Sequence, residues 1–345
     1  MEFLMLLAVL LCLVAGMVFH TRRAHAQATI HHVADPAVAH RALIENADDL
    51  LNRPAAIFPV ALATWGFRRI SALLDRQVEL YLPLIAARRQ ARSQLCGGII
   101  RPYVDTLLDL RVPDSNGAGR PLRDGELVGL VFEFLGTATG STAACLEWTL
   151  AHLIDQPEVQ DKLRREINAE ADGGGMLSIS SKSIRSGMPY LNAVVLESLR
   201  MHPPVPFIMR SAHGEGATAI GGATAVPVDG LSVRFDLGGI GRDGKSWTDP
   251  DKFRPERFLA GGEAEDVGPA PGPKEIRMMP FGAGHRHCPG VNMGMLHIKC
   301  FLAALLHGFD WAPAGDCSGG VDMTELDGFV KIMEQPLSAR VTRRT

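Results

Sequence analysis

The residues best suited to chemistry in this chain surround Cys288, in the run Phe281-Gly-Ala-Gly284-His-Arg286-His-Cys288-Pro-Gly290. Glycines at 282, 284 and 290 let a backbone turn tightly and come close to a flat ligand. Pro289 suits the first position of a helix predicted over 289–307, which puts Cys288 at its N-cap. A helix N-terminus with Arg286 nearby favours thiolate over thiol. A thiolate so held can be a metal ligand, a nucleophile or a redox sensor, whereas an isolated cysteine is by default a buried, inert thiol. No His and Asp pattern accompanies Cys288 to make it a hydrolase nucleophile. His285 and His287 read as polar flanks of the loop rather than as ligands. A second constellation is Glu197 and Arg200, three residues apart on one face of a helix predicted over 189–201 and stopped by Pro203-Pro204.

The elements that must position these residues are mostly helical. A short strand at 29–33 precedes a helix opened by Asp35-Pro36 and running to 51. Residues 70–94 make a basic amphipathic helix, with Arg88, Arg89 and Arg92 near the end where the dipole favours cations. A Pro/Gly/Asn loop covers 113–121. The longest helical pattern spans 126–154, with Asp124 as its N-cap. Leu127, Val128, Leu130, Val131, Phe132, Phe134 and Leu135 make it apolar nearly all round, which predicts a helix that crosses the core. Asp155-Gln156-Pro157 opens a charged helix that ends at glycines 173–175. The β signal is confined to short pieces, mainly within 213–250, and 261–273 reads as a Gly/Pro/Glu loop of low complexity. No internal repeat interrupts this pattern.

Bulk properties narrow the function class. Hydrophobic residues at 46% and charged residues at 21% give a globular balance with ample core material. A net charge of −3 leaves no nucleic-acid footprint. Six cysteines without a CxxC pair are too sparse for a disulfide framework or a zinc finger and suit a reducing compartment. The uncharged run 3–19 is followed by Arg22 and Arg23, which fits a short membrane anchor with a cytoplasmic basic flank. Ala24-His25-Ala26 also fits a signal-peptide cleavage pattern, although the Met-Glu start lacks the positive charge such peptides carry.

Four segments, in order, resemble the cytochrome P450 family. The Cys288 loop matches Phe-x-x-Gly-x-Arg-x-Cys-x-Gly at every fixed position. Glu197-x-x-Arg200 followed by His202-Pro203-Pro204 is similar to the family's K helix, and Phe253-Arg-Pro255-Glu256-Arg257-Phe258 to the segment before its meander. Residues 133–148 are similar to the long I helix. The resemblance runs from about residue 100 to the end and is nearest to plant microsomal members. It implies a mostly α fold with a small β region, and a haem whose iron ligand is Cys288. It also implies that Arg286 and Arg210 face the haem propionates, that Phe281, Gly282 and Gly290 shape the cofactor loop, and that Glu197, Arg200 and Arg257 form a structural cluster. Ser141 and Thr142 become the alcohols of the oxygen-activating helix. The implied reaction is monooxygenation of a small organic substrate. Electrons would come from a membrane-bound NADPH–cytochrome P450 reductase, with Lys162, Arg164, Arg165, Lys274 and Arg277 as basic contacts. The implied location is the endoplasmic reticulum membrane, with the catalytic domain on the cytoplasmic side.

Two departures from the family pattern shape these expectations. The long helix reads Thr137-Ala138-Thr139-Gly140-Ser141-Thr142, so Gly140 stands where the family carries an acid and Ser141 where it carries a threonine. The chain also lacks segments of the N-terminal part. Its expected organisation is an anchor and basic flank at 1–27, then a haem-thiolate domain at 28–345 shortened around 54–65. A degenerate, inactive haem-binding relic, or a haem-thiolate isomerase or lyase, are the alternative readings.

Overall fold

The computed structural model describes residues 30–45, 66–92, 101–113, 117, 119–171, 183–211, 217–219, 225–227, 232–272, 274–315, 320–328 and 330–344. The anchor predicted at 3–19 and the junction predicted around 54–65 lie outside them. In chain order the main elements begin with strand β1 (Ile30–Val33) and helix α1 (Pro36–His40), which widens into a π turn at Arg41–Glu45. Helices α2 (Gly66–Arg92) and α3 (Tyr103–Asp109), strands β2 (Arg111–Val112) and β3 (Arg120–Pro121), and the long helix α4 (Asp124–Asp155) follow. Next come α5 (Pro157–Ala171), α6 (Pro189–Met201), β4 (Phe207–Ser211), β5 (Ala217–Ala219), β6 (Ala225–Pro227), β7 (Ser232–Asp236) and α7 (Leu237–Gly241). Helix α8 (Val291–Gly308) and strands β8 (Phe309–Pro313) and β9 (Ala339–Arg343) complete the chain. Helices dominate and the sheets are small, as the sequence predicts.

The chain forms two compact units: Met1–Pro54 with Ser141–Thr345, and Ala55–Gly140. In the first, β7 lies between β1, parallel to it, and β4, antiparallel to it. Val233 and Phe235 point alternately inward from β7 and are fully buried, the period expected of a central strand. Helix α6 starts with Pro189 in its first turn, where the missing N–H costs nothing. From Ala193 to Met201 every residue of it is buried. It packs on α5, whose Val159, Leu163, Ile167 and Ala171 form a stripe of period four, and on α8 through Ile298, Leu302 and Leu306. By length and composition α4 and α8 could each cross a membrane, but this apolar face of α8 is spent on the core.

The second unit has a small core of Ile85, Leu107, Leu127 and Val128. The cations at the end of α2 are tied to acids rather than left to the helix dipole: Arg88 makes a bidentate pair with Asp105, Arg89 bonds Asp124 and Arg92 bonds Asp109. Asp124 is the first residue of α4 and not its cap. The reach-back comes from Glu126, which accepts the N–H of Arg123 at 2.7 Å, one half of a capping box. Arg120 and that N–H hold the Glu126 carboxyl down to about 2.

Two other expectations change. The helix opened at Asp35 keeps its cap, with Asp35 Oδ1 accepting from Ala37 and Val38, but after five residues it becomes the π turn. The N-terminal half of α4 does not cross a core: Leu127 and Val128 are buried, whereas Phe132 is 41% and Leu135 42% exposed. An all-round apolar pattern states which faces need covering, and among the described residues those two side chains are not covered.

Candidate functional site

The Cys288 loop is built from backbone hydrogen bonds that its glycines make reachable. Gly282 N–H donates to Met279 O at 2.8 Å, and Cys288 N–H to Phe281 O at 2.8 Å, which folds the loop back on itself. Gly282 and Gly284 hold φ of 74° and 70°, a region that side chains disfavour. At Gly284 there is a second constraint, since a Cβ would fall 2.3 Å from the carbonyl oxygen of Leu43. A 3₁₀ turn at Gly284–Arg286 leads into Cys288. The cysteine is half-buried, and its Sγ accepts the N–H of Gly290 at 3.3 Å.

This geometry corrects the predicted cap. Helix α8 begins at Val291 with Gly290 as its N-cap, so Cys288 and Pro289 precede the helix. Gly290 directs its N–H to sulfur and its carbonyl to Gly294 N at 2.7 Å, so the turn at Cys288 is made before the first helical bond. The sulfur still faces an N–H donor next to the helix N-terminus. The ring of Phe281 lies where a Cβ on Gly294 would come within 3.4 Å, tying the loop's start to α8. His285, Arg286 and His287 are all exposed, and His287 Nδ1 lies 3.1 Å from Gly284 O. Among the described residues no three His, Cys, Asp or Glu side chains group to hold a metal ion. The donor set therefore fits a single thiolate ligand beside an open, glycine-lined backbone.

The charged residues of α6 are brought together as predicted. Glu197, Arg200 and Arg257 all have fully buried side chains. Arg200 donates to both carboxylate oxygens of Glu197, Nε at 2.7 Å and Nη2 at 2.9 Å, and Arg257 Nε donates to Oε1 at 3.0 Å. The backbone N–H of Arg254 adds a fourth donor at 2.7 Å. The remaining guanidinium protons go to carbonyls, Arg200 to Gly241 and Arg257 to Asp249 and Lys252. A buried ion pair is sustained only when its spare hydrogen-bonding capacity is filled in this way.

Sequence reasoning missed the outer layer of this network. Arg257 Nη1 also contacts Glu263, and Arg200 and Arg277 both lie over the Trp247 ring, at 5.1 and 4.4 Å from its centroid. Glu263 sits in the segment read as a low-complexity loop. That loop is packed: Ala264 is fully buried and its N–H donates to Arg257 O at 2.8 Å. Composition conceals such order, because it comes from backbone contacts.

Arg210, on β4, is nearly fully buried; its Nη1 donates to Met209 O at 2.9 Å and its Nη2 to Arg286 O at 3.4 Å. It therefore supports the backbone of the Cys288 loop. Ser141 and Thr142 are half-buried on α4, a different element. Two of the predicted docking cations are committed internally. Arg164 bonds Asp161 and Gln160 and pairs with Asp310, and Arg277 donates to the carbonyls of Glu263 and Ser246. Lys162 is partly exposed and paired with Glu256 at 2.7 Å, and Lys274 is exposed.

A sequence model of the cytochrome P450 family matches residues 34–337. The chain belongs to that family. It is 38% identical to cytochrome P450 89A9 of Arabidopsis thaliana over 74% of its own length and 50% of that protein. It is 33% identical to cytochrome P450 78A11 of Oryza sativa subsp. japonica, over 80% of this chain and 48% of that one. With cytochrome P450 98A2 of Glycine max the identity is 32%, over 84% and 52%. The chain thus spans about half the length of the curated relatives it matches. Cytochrome P450 proteins are haem monooxygenases whose cofactor iron is held by a cysteine thiolate, and the Cys288 loop has the donor and the open backbone that such a cofactor needs.

Proposed function

We propose that this chain binds haem through Cys288 and inserts one atom of O2 into a small organic substrate, taking electrons from an NADPH–cytochrome P450 reductase. The observation that carries the reading is the half-buried Cys288 sulfur, which accepts the Gly290 N–H within a loop that glycine alone can form. Thiolate-ligated haem supplies electron density that favours O–O cleavage. The chain's own residues do the rest. Arg286 and Arg210 offer planar guanidinium groups suited to carboxylate partners, and Arg210 also steadies the loop. Glu197, Arg200 and Arg257 anchor the segment 249–263 that packs beside α6. Ser141 and Thr142 offer hydroxyls that can hold water and pass a proton. Gly140 removes the carboxylate from that path, a general-acid contribution of about 10²–10⁴ in rate. Oxygen would then be reduced wastefully as well as productively.

The uncharged run at 3–19 and Arg22-Arg23 support attachment to the endoplasmic reticulum membrane with the remainder on the cytoplasmic side. The chain spans about half the length of the relatives it matches, which supports a domain shortened around 54–65. A second reading, a haem-binding relic without turnover, is favoured by the exposed Phe132 and Leu135. The first test is the absorption spectrum of reduced protein under carbon monoxide. The thiolate-haem signature is expected in the parent and absent in Cys288→Ala and Cys288→Ser; its persistence in Cys288→Ala overturns the assignment. Turnover with any organic substrate and reductase then separates the enzyme from the relic.

A further inference from the structure

His202 follows the Glu197–Arg200 helix, and nothing in the haem reading uses it. It is 4% exposed, its ring stacks on Trp148 with centroids 3.9 Å apart, and its Nδ1 lies 2.9 Å from Glu325 Oε1. Its Nε2 lies 3.0 Å from Nε2 of His152, which is 6% exposed and stacked on Phe253. A carboxylate only accepts, so Nδ1 of His202 carries the proton and Nε2 is its lone pair. His152 must then donate from Nε2. With both imidazoles neutral the chain Glu325–His202–His152 is satisfied throughout, and one added proton can still be accommodated by a change of His152 tautomer; a proton on each ring sets two N–H groups of like-charged imidazoliums against each other 3.0 Å apart.

Glu325 belongs to a C-terminal stretch that docks on the same ground. Trp148 Nε1 donates to Lys331 O at 3.1 Å, Lys331 N–H to Pro204 O at 2.8 Å, and Leu337 N–H to Glu147 Oε1 at 3.1 Å. Met333 is buried against Trp148 and Ala151. A cleft of about 710 Å³ runs along the relay, lined by Met323 and Glu325 on the docked side and by His152, Met201, Arg242 and Phe253 opposite.

We propose that Glu325, His202 and His152 form an acid-released latch that holds residues 320–328 and 330–337 against the C-terminal ends of α4 and α6 and opens this cleft when it lets go. The surrounding charges favour release on protonation. Arg242 and Lys331 each lie 3.5 Å from Glu325, Lys331 also pairs with Asp327, and Lys252, Arg254, Asp155 and Asp251 line the cleft. Burial, then His202, Arg242 and Arg200, push His152 down to about 3. Burial also lowers His202, against the opposing pull of Glu325. Both therefore bind protons more weakly when docked than at the ordinary value of 6.5. The latch is fully held above that pH and loosens as pH falls below it.

Hydrogen exchange of the full chain tests this, with protection corrected for the pH dependence of intrinsic rates. The amides of Leu326, Lys331 and Glu334, all hydrogen-bonded in the docked segment, report on release. Protection there should fall between pH 7.5 and 5 by up to about thirtyfold for each histidine that titrates freely on release, while amides of α6 hold. In the double variant His152→Gln/His202→Gln each side chain keeps an N–H and an oxygen but does not titrate. Its protection at pH 7.5 should persist and the fall should vanish. If the double variant does not fold, His152→Gln alone must reduce the logarithm of the fall. Constant protection in the parent, loss shared equally by α6, or an unchanged fall in the variants overturns the latch.

Discussion

Helix α6 and the first half of α4 are both rich in apolar residues, yet they end in opposite states. Around Glu197 each buried charge has its donors or acceptors filled and each apolar neighbour is covered, with Leu191, Val194 and Val195 at 0% exposure. Along α4 before Ser141, and on α2, the apolar side chains Phe132, Leu135, Leu73, Leu80 and Leu84 stand 41–62% exposed. The difference shows that composition sets a demand for burial, and that only neighbours from elsewhere in the chain meet it. Exposed apolar surface of this extent also marks a place where a partner surface would be stabilising.

The contrast is broken most severely at the ion cluster. Glu197→Ala leaves Arg200 buried without a carboxylate and Arg257 with Glu263 alone, and should cost about 3–5 kcal/mol. Arg89→Ala removes an exposed pair with Asp124, both side chains near half exposure, and should cost about 0–1 kcal/mol. Urea unfolding of the two variants beside the parent measures the gap. Equal midpoints would mean that the cluster does not govern stability.

A smaller effect separates the two kinds of leucine. Leu199→Ala, at a position 2% exposed, opens a cavity in α6 and should destabilise by about 2–5 kcal/mol. Leu80→Ala, at 60% exposure, should stay within about 0.5 kcal/mol. A comparable loss at Leu80 in thermal unfolding would show that its face is covered in solution.

The smallest effect on stability sharpens the view of α4 and bears on function. A Cβ on Gly140 meets nothing within 4 Å, so Gly140→Asp fits without repacking and should add up to about 0.5 kcal/mol through helix propensity. Combined with Ser141→Thr it restores the family's acid and alcohol. Product formed per NADPH consumed should rise in the double variant, measured beside the parent with one reductase. An already well-coupled parent, unchanged by the substitutions, would clear Gly140 as a defect.

Much of the site is legible in order along the chain. The Cys288 loop is defined by residues with backbone reasons to be where they are, Gly284 most clearly, and Glu197–Arg200 by helical spacing. The cap of α8 was misplaced because Pro289 is compatible with a first helical position, and only the Gly290 N–H to sulfur contact moves the start to Val291. Glu263 and the docking of Glu325, Lys331 and Met333 were not legible. The relay joins His152 to His202 and His202 to Glu325 across 50 and 123 residues, and no local pattern encodes contacts at that separation.

Sequence alone determined the family motif around Cys288, the glycine-dependent turn, the helical class of the fold, and the pairing of Glu197 with Arg200. Each is a local property, set by side-chain chemistry and backbone freedom within a few residues. Tertiary structure decided which charges lose their water and which apolar faces keep contact with it. Arg277 and Arg164 became internal fasteners, the loop at 261–272 became packed, and Phe132 stayed outside. Burial is a relation between distant segments, so the free energy that makes an ion pair strong or an imidazole hard to protonate exists only once those segments meet.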